Sequence, residues 1–293
     1  MRILVTGDCG VIGRELVKML LEAKHEVYGM DKMAPSIMDR TGNYTRLQRD
    51  LSIDSLTDEI EAISPAIVFH LAASFERTQE TPEAIDHVWE NDTVASHRLL
   101  NAVMPCIGLK KIVFASSYLI YQLNSYGIDP RNLCGVSKLY TEREIEFLCT
   151  KLRPDVSYVN ARIFRVYGCG GKEIISRWCR AKVRGEHSFL FNPENRFDFI
   201  HARDVARGLF ELGFSEANGI VQLGTGISTS ISEIVDMIGV TPERIEDDKQ
   251  SESSVADVSR LKQLTGWTPT ITVSQGIKEV LAYEAARTHH IGK

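Results

Sequence analysis

The run Gly7-Asp8-Cys9-Gly10-Val11-Ile12-Gly13 follows a short apolar segment, RILVT (2–6), and leads directly into an amphipathic helical pattern. In such a turn the first glycine permits a tight bend and the second lets a pyrophosphate approach the backbone. The third lets helix and strand pack closely. The unpaired N–H groups and partial positive charge of the helix N-terminus then receive phosphate. Asp31 closes the next apolar segment, EVYGMD (26–31), at the distance expected of a ribose-binding acid. A carboxylate there accepts hydrogen bonds from the adenosine ribose and repels a 2′-phosphate, so the expected ligand is NAD rather than NADP. Lys32 beside it could soften that preference.

A second cluster is RNLCGVSKLY (131–140), where Lys138 stands four residues after Cys134. On a helix that spacing puts both on one face, and a nearby cation favours the ionised form of an acid.

The elements that carry these residues alternate in type. RILVT, EVYGMD, a short strand ending near Asp50, AIVFHLAA (66–73), KIVFASS (111–117) and DVSYVNARIF (155–164) read as strands. AIVFHLAA and KIVFASS are near-continuous apolar runs, as expected of strands buried on both faces. Helical patterns cover about 11–23, 54–63, 82–104 and 133–151, giving a Rossmann-type α/β fold with a doubly wound parallel sheet. After Gly168 the pattern loosens: a loop over 168–172, a helix over 173–184, a strand and helix over 198–213, and a strand in GIVQLGTG (219–226). Ser230 with Glu233 forms a capping box, DDKQSESS (247–254) is a charged loop, and two helices follow. The expected division is a nucleotide-binding domain over 1–165, with 198–226 crossing back to it. A smaller α/β C-terminal substrate-binding part would comprise 166–197 and 227–293.

Composition excludes several classes. A net charge of −5 without any basic run argues against a nucleic-acid partner. No apolar run is long enough to span a bilayer and no signal-peptide pattern opens the chain, so a cytoplasmic protein is expected. The six cysteines show no zinc-ligand spacing and read as reduced, so no metal site is expected.

The glycine spacing TGxxGxxG resembles that of the extended short-chain dehydrogenase/reductases, and nearly the whole chain is similar to the NAD-dependent epimerase/dehydratase branch acting on nucleotide sugars. Asp50-Leu51 resembles the branch's acid–aliphatic pair near the adenine, and Phe69-His70-Leu71-Ala72-Ala73 its HLAA strand end under the cofactor. Asn91 falls in a segment like NVxGT, from which Asp92 and Ala95 depart. Ser116-Ser117 with Ile120-Tyr121 resembles SSxxVY; Phe164-Arg165-Val166-Tyr167-Gly168 resembles F-N-V-Y-G with Arg165 for the asparagine. Arg196 with Asp198-Phe199-Ile200-His201 resembles RDFIH, and Leu223-Gly224-Thr225-Gly226 and Gly266-Trp267-Thr268-Pro269 resemble the C-terminal signatures.

The resemblance implies NAD bound along Gly7, Gly10, Val11, Ile12, Gly13, Asp31, Lys32, Asp50, Leu51, Leu71, Ala72, Ala73, Asn91, Ser116, Lys138 and Phe164. It places a nucleotide sugar against Ser74, Tyr121, Arg165 and Arg196, and a catalytic group of Ser117, Lys138 and whatever stands at position 134. In the family a tyrosine there, helped by the lysine, removes a sugar hydroxyl proton; here it is Cys134. Three readings follow: a thiol acid/base promoted by Lys138; transfer of the role to Tyr118, Tyr121, Tyr126 or Ser117 with Lys138, Tyr140 being two residues beyond Lys138 and so on a different helix face; or loss of turnover with NAD kept as a structural or sensing ligand. An NAD(P)-linked dehydrogenase or reductase on a non-nucleotide substrate is the other alternative. His70 is expected to be a satisfied core histidine and Cys9 a tolerated small residue. The His289-His290 pair is not expected to bind metal. A homodimer through helices 82–104 and 133–151 is also implied by the resemblance.

Overall fold

The computed structural model describes residues 1–33, 42–74, 80–245 and 250–291, without the side chains of 289–291. The His289-His290 expectation and part of the 247–254 loop therefore lie outside the described residues.

Strand β1 (Arg2–Thr6) leads through the glycine turn into helix α1 (Gly13–Glu22), followed by β2 (Glu26–Asp31), β3 (Tyr44–Gln48), α2 (Thr57–Ile63) and β4 (Ile67–His70). Helix α3 (Pro82–Val88) opens on Thr81, whose side chain accepts from Ala84 N, and has proline in its first turn. It runs through a π-helical turn (Trp89–Val94) into α4 (Ala95–Val103), so the single helix expected over 82–104 is interrupted. Strand β5 (Lys111–Ser117) ends in a 3₁₀ turn (Tyr118–Ile120); α5 (Leu133–Phe147) follows, capped by Asn132 and finishing in a second π turn (Leu148–Leu152), then β6 (Ser157–Ile163).

Next come β7 (Arg165–Tyr167), α6 (Ile174–Arg184), β8 (Phe189–Phe191), β9 (Arg196–Phe197), β10 (Phe199–His201), α7 (Ala202–Phe214) and β11 (Gly219–Leu223). The chain continues with β12 (Thr229–Ser230), α8 (Ile231–Ile238), β13 (Glu243–Ile245), β14 (Ser253–Ser254), α9 (Ser259–Thr265) and α10 (Val273–Ile291). Ser230 and Glu233 form the reciprocal capping box that opens α8.

The seven-stranded sheet is parallel throughout, in the order β11-β6-β5-β4-β1-β2-β3. Order reverses between β1 and β4, and a crevice opens beyond the carboxyl ends of the strands at such a switch. Side-chain alternation divides the core. Ile3, Val5, Phe69 and Val113 pack on one face with Leu16 of α1 and Leu209 of α7, while Leu4, Val68, Ile112 and Phe114 pack on the other with Ile60, Leu99 and Ile145. Each such side chain, buried from water, contributes about 1.5–3 kcal/mol. A separate apolar cluster, including Tyr167, Trp178, Phe199, Ile234 and Ile277, holds the elements outside the main sheet.

Candidate active site

Register brings the ends of β1, β4 and β5 level: Thr6 pairs with His70, and His70 with Phe114. Gly7, at φ +73°, turns the chain out of β1, and its N–H donates to Met30 O at 2.8 Å. A Cβ there would lie 2.7 Å from Ala72 N, so the turn can sit this close to the end of β4 only with glycine. One cleft is lined by Gly7, Gly10, Asp31, Lys32, Asp50, Leu51, Leu71, Ala72, Ala73, Ser74 and Asn91, which gathers most of the expected cofactor residues from five separate segments. Val11 and Ile12 lie in the turn just before α1, and Ile12 packs onto the core.

Asp31 is pinned at the end of β2, its Oδ1 accepting from Met33 N at 2.9 Å and its Oδ2 from Cys9 N at 3.3 Å. Lys32 does not stand over Asp31. Its Nζ donates to Asn91 Oδ1 at 2.8 Å and lies 3.9 Å from Asp50 Oδ2, bridging two residues that line the cleft. Ser52 donates to Asp50 through its hydroxyl and its N–H, which holds that carboxyl below the usual range. Beneath the turn, the buried Asp8 accepts from Tyr44 and pairs with Arg46 at 3.3 Å. Asp8, Cys9 and Asp31 come close enough to suggest a cation, but Arg46 already supplies the positive charge there, donating to Asp31 O at 2.9 Å and to Cys9 Sγ at 3.4 Å.

At the other end, Ser117 closes β5 and its Oγ accepts from Leu119 N at 3.2 Å, so the hydroxyl's position is set by the 3₁₀ turn while its proton stays available. Helix α5 packs onto that turn so closely that a Cβ on Gly135 would overlap Leu119 O. This places Cys134 and Lys138 beside the end of β5. Lys138 is 7% exposed; its Nζ lies 4.6 Å from the centre of the Phe114 ring and has no acidic partner among the described residues. His70, on the other side of Phe114, is satisfied as expected: Thr6 Oγ1 lies 2.7 Å from Nδ1 and Ser96 Oγ 2.8 Å from Nε2. Ser96 Oγ donates to Asp92 O, so the network assigns the ring proton to Nε2. Burial, aided by the Lys138 charge, lowers the His70 pKa to about 3, so the ring is neutral.

Several of the expected residues have partners within the chain. Ser116 does not offer its hydroxyl to the cleft; it donates to Glu142 Oε1 at 2.5 Å within a buried pair in which Arg162 grips both Glu142 oxygens at 2.9 and 2.7 Å. Arg196 points outward, donating to Ser228 O at 3.0 Å and pairing with Glu233 at 3.4 Å, because strand alternation gives the inward place on β9 to Phe197. Arg165 fills that inward space: its guanidinium lies 3.6 Å from the centre of the Phe197 ring and 3.7 Å from Glu252 Oε2. Glu252 also pairs with Arg131, which sequence reasoning missed for want of any local motif.

The tyrosine readings narrow in the same way. Tyr121 is buried, with its hydroxyl accepting from Gln222 at 3.0 Å, and Tyr126 donates to Val255 O at 2.7 Å. Tyr140 faces outward against Trp89. Tyr118 is buried against Phe164, and burial pushes its phenol up. Nor is Cys134 promoted: burial raises its thiol, Lys138 opposes this, and Asp92 adds to it. The thiolate reading lacks support in this arrangement.

NAD fits the residues present. The cleft lies at the switch point, Gly7 leaves room that any Cβ would fill, a fixed carboxylate waits at the end of β2, and near the end of β5 a buried cation lies over Phe114 without an acidic partner among the described residues. Known proteins agree. Residues 3–223 match the NAD dependent epimerase/dehydratase family. A putative UDP-glucose 4-epimerase of Methanocaldococcus jannaschii is 29% identical, over 95% of this chain and 97% of the relative. The CDP-abequose synthase of Salmonella muenchen is 23% identical over 96% and 97%. Among solved structures, MoeE5 in complex with UDP-glucose and NAD superposes with a TM-score of 0.88 at 26% identity, covering 98% of this chain and all of that one. Glycine turn, switch-point cleft and family match together place the chain in the NAD dependent epimerase/dehydratase family.

Proposed function

We propose that the protein is an NAD-dependent epimerase of a nucleotide-activated hexose, with a UDP-sugar as the first candidate. The observation that supports this most is Lys138, a buried ammonium over the Phe114 ring with no acidic partner among the described residues. Burying such a charge without a partner is costly, so its presence points to a ligand. The relatives that match almost end to end include enzymes named for UDP-glucose, and MoeE5 was solved with UDP-glucose and NAD.

Bound in this cleft, NAD would supply reversible hydride acceptance. The chain supplies everything else. Gly7, Gly10 and the N-terminus of α1 receive the pyrophosphate, Asp31 the adenosine ribose, and Lys138 the nicotinamide ribose. Ser117, oriented by Leu119 N, holds the reacting hydroxyl. Arg165, stacked on Phe197, serves the diphosphate of the substrate, since a guanidinium grips phosphate at two points. Residues 1–165 with 198–226 hold the cofactor, and 166–197 with 227–293 close on the sugar.

The working unit is a homodimer. Ile85 and Trp89 on one helical segment and Val136, Tyr140 and Phe147 on α5 are each about half exposed, which forms an apolar face of the kind that marks an interface. We place the enzyme in the cytoplasm; its six cysteines are unbridged, and no helix among the described residues is long and apolar enough to cross a membrane.

Incubation with NAD and a panel of UDP-, dTDP- and GDP-sugars tests the reading. An epimer seen by NMR with no net change in nicotinamide absorbance is the expected outcome. Net reduction or oxidation of the cofactor would indicate a simple dehydrogenase or reductase, and tight NAD binding without turnover on any sugar would indicate a sensor.

A further inference from the structure

The proton chemistry needs an acceptor, and at the reaction end Cys134 and the neighbouring tyrosines are poor ones. Asp92 is a different case. It sits in the π-helical turn between α3 and α4, 4% exposed, at a position where the family pattern has an apolar residue. Its Oδ1 accepts from Ser74 N at 2.6 Å, which fixes the carboxyl group beside a residue that lines the cleft. Its Oδ2 is buried with no hydrogen-bond partner among the described residues. Buried carboxyl oxygens without partners are rare, and π turns concentrate at functional sites.

The turn packs against α5, whose first two turns carry Cys134 and Lys138. Two buried groups of opposite charge type, Asp92 Oδ2 and Lys138 Nζ, thus flank position 134 without being paired to each other. We propose that Asp92 takes the substrate hydroxyl proton and returns it, the part that residue 134 plays in the family. The O–H bond of the sugar breaks as an O–H bond forms on Asp92 Oδ2. The proton goes back in the return half of the cycle, so no base is consumed. Position 134 itself carries a thiol, shorter than the family's tyrosine, between these two groups.

Among the described residues, the other titratable groups facing this region are Lys138 and Cys134 on α5, His70 on β4, which is neutral, and Glu80, whose Oε1 accepts from Leu133 N at 3.2 Å. The proposal rests on the epimerase reading, so its test has one arm that does not need turnover. Asp92→Asn keeps an oxygen for Ser74 N and removes only the base. In turnover, Asp92→Asn should lower kcat by about 100-fold or more with NAD affinity unchanged, while Cys134→Ala loses less than about tenfold and keeps the acid limb of the wild-type pH profile. Should Asp92→Asn retain kcat within about tenfold, or Cys134→Ala abolish turnover in a folded protein, the assignment is overturned. The Cys134→Ala arm stands even if Asp92→Asn does not fold. Independently, the pH midpoint for iodoacetamide alkylation of Cys134, followed by peptide mass spectrometry, should fall in Asp92→Asn because a negative neighbour has been removed. An unchanged midpoint would overturn the coupling, whereas a shifted midpoint without turnover on any sugar would count against the epimerase reading alone.

Discussion

The two ends of the cofactor cleft are built on different principles. The adenosine end is mostly backbone: a turn at φ +73°, N–H groups at a helix start, and a carboxylate pinned by Met33 N and Cys9 N. The reaction end is mostly side chains, each free to be exchanged provided the sum of the chemistry survives. Backbone recognition admits little substitution, because the group doing the work is the same in every residue and only its approach distance can be spoiled. Side-chain chemistry can move to a neighbour, as Cys134 and Asp92 suggest here, and as Arg165 filling the inward space beside Phe197 suggests for the phosphate contact.

The largest expected effect lies behind the reaction end. Glu142→Gln leaves Arg162 buried and half paired, and should cost about 3–5 kcal/mol in urea unfolding. NAD affinity in the folded fraction should be little changed, and a comparable loss of affinity would show that this buried pair belongs to the binding machinery.

At the adenosine end the order is reversed. Gly7→Ala adds a Cβ 2.7 Å from Ala72 N at a left-handed position, a strain of about 1–3 kcal/mol before any ligand is considered. Calorimetry should record NAD binding weakened by roughly 100-fold. Binding within a factor of a few of wild type would mean that the turn can relax and the contrast between the ends is too sharply drawn.

A pH effect separates the ends further. The His70 pKa is depressed from 6.5 to about 3, so the native state excludes a proton that the unfolded chain takes up below about 6.5. Its contribution to stability is therefore present above 6.5 and lost as pH falls toward 3. Between pH 7 and 5 the wild type should lose about 2 kcal/mol more than His70→Gln. Parallel pH profiles of urea midpoints would remove His70 from that account. The smallest effect compares two arginines: Arg165→Ala should weaken a UDP-sugar or UDP about tenfold, while Arg196→Ala, already spent on Ser228 and Glu233, should leave it unchanged. Equal losses would restore Arg196 to the site.

Much of this arrangement is legible in the residues. The alternation of apolar runs with helical patterns gives the doubly wound sheet, since strands buried on both faces must read as continuous apolar segments. The glycine turn and Asp31 give the dinucleotide, because a backbone conformation and a strand-end carboxylate are local properties. Lys138 is singled out by the resemblance of Gly135, Ser137 and Lys138 to the family's YGxSK motif. The partners of Ser116 and Arg196 were not legible, because a motif names neighbours in sequence and adjacent residues on a strand face opposite sides. Asp92 showed itself only as a departure from a pattern, with nothing local to say that one of its oxygens would be buried and unpartnered.

What the sequence alone determined, then, is the sheet, the nucleotide turn and the choice of cofactor, all of which follow from short-range backbone and periodicity rules. What only the tertiary structure decided is which side chains share the reaction end. It set Lys138 over Phe114, gave the hydroxyls of Tyr121 and Tyr126 other partners, stacked Arg165 on Phe197 while Arg196 pairs with Glu233, and packed the turn carrying Asp92 against α5. Those placements depend on packing between segments far apart in the chain, where burial and the presence or absence of a partner give each group its chemistry.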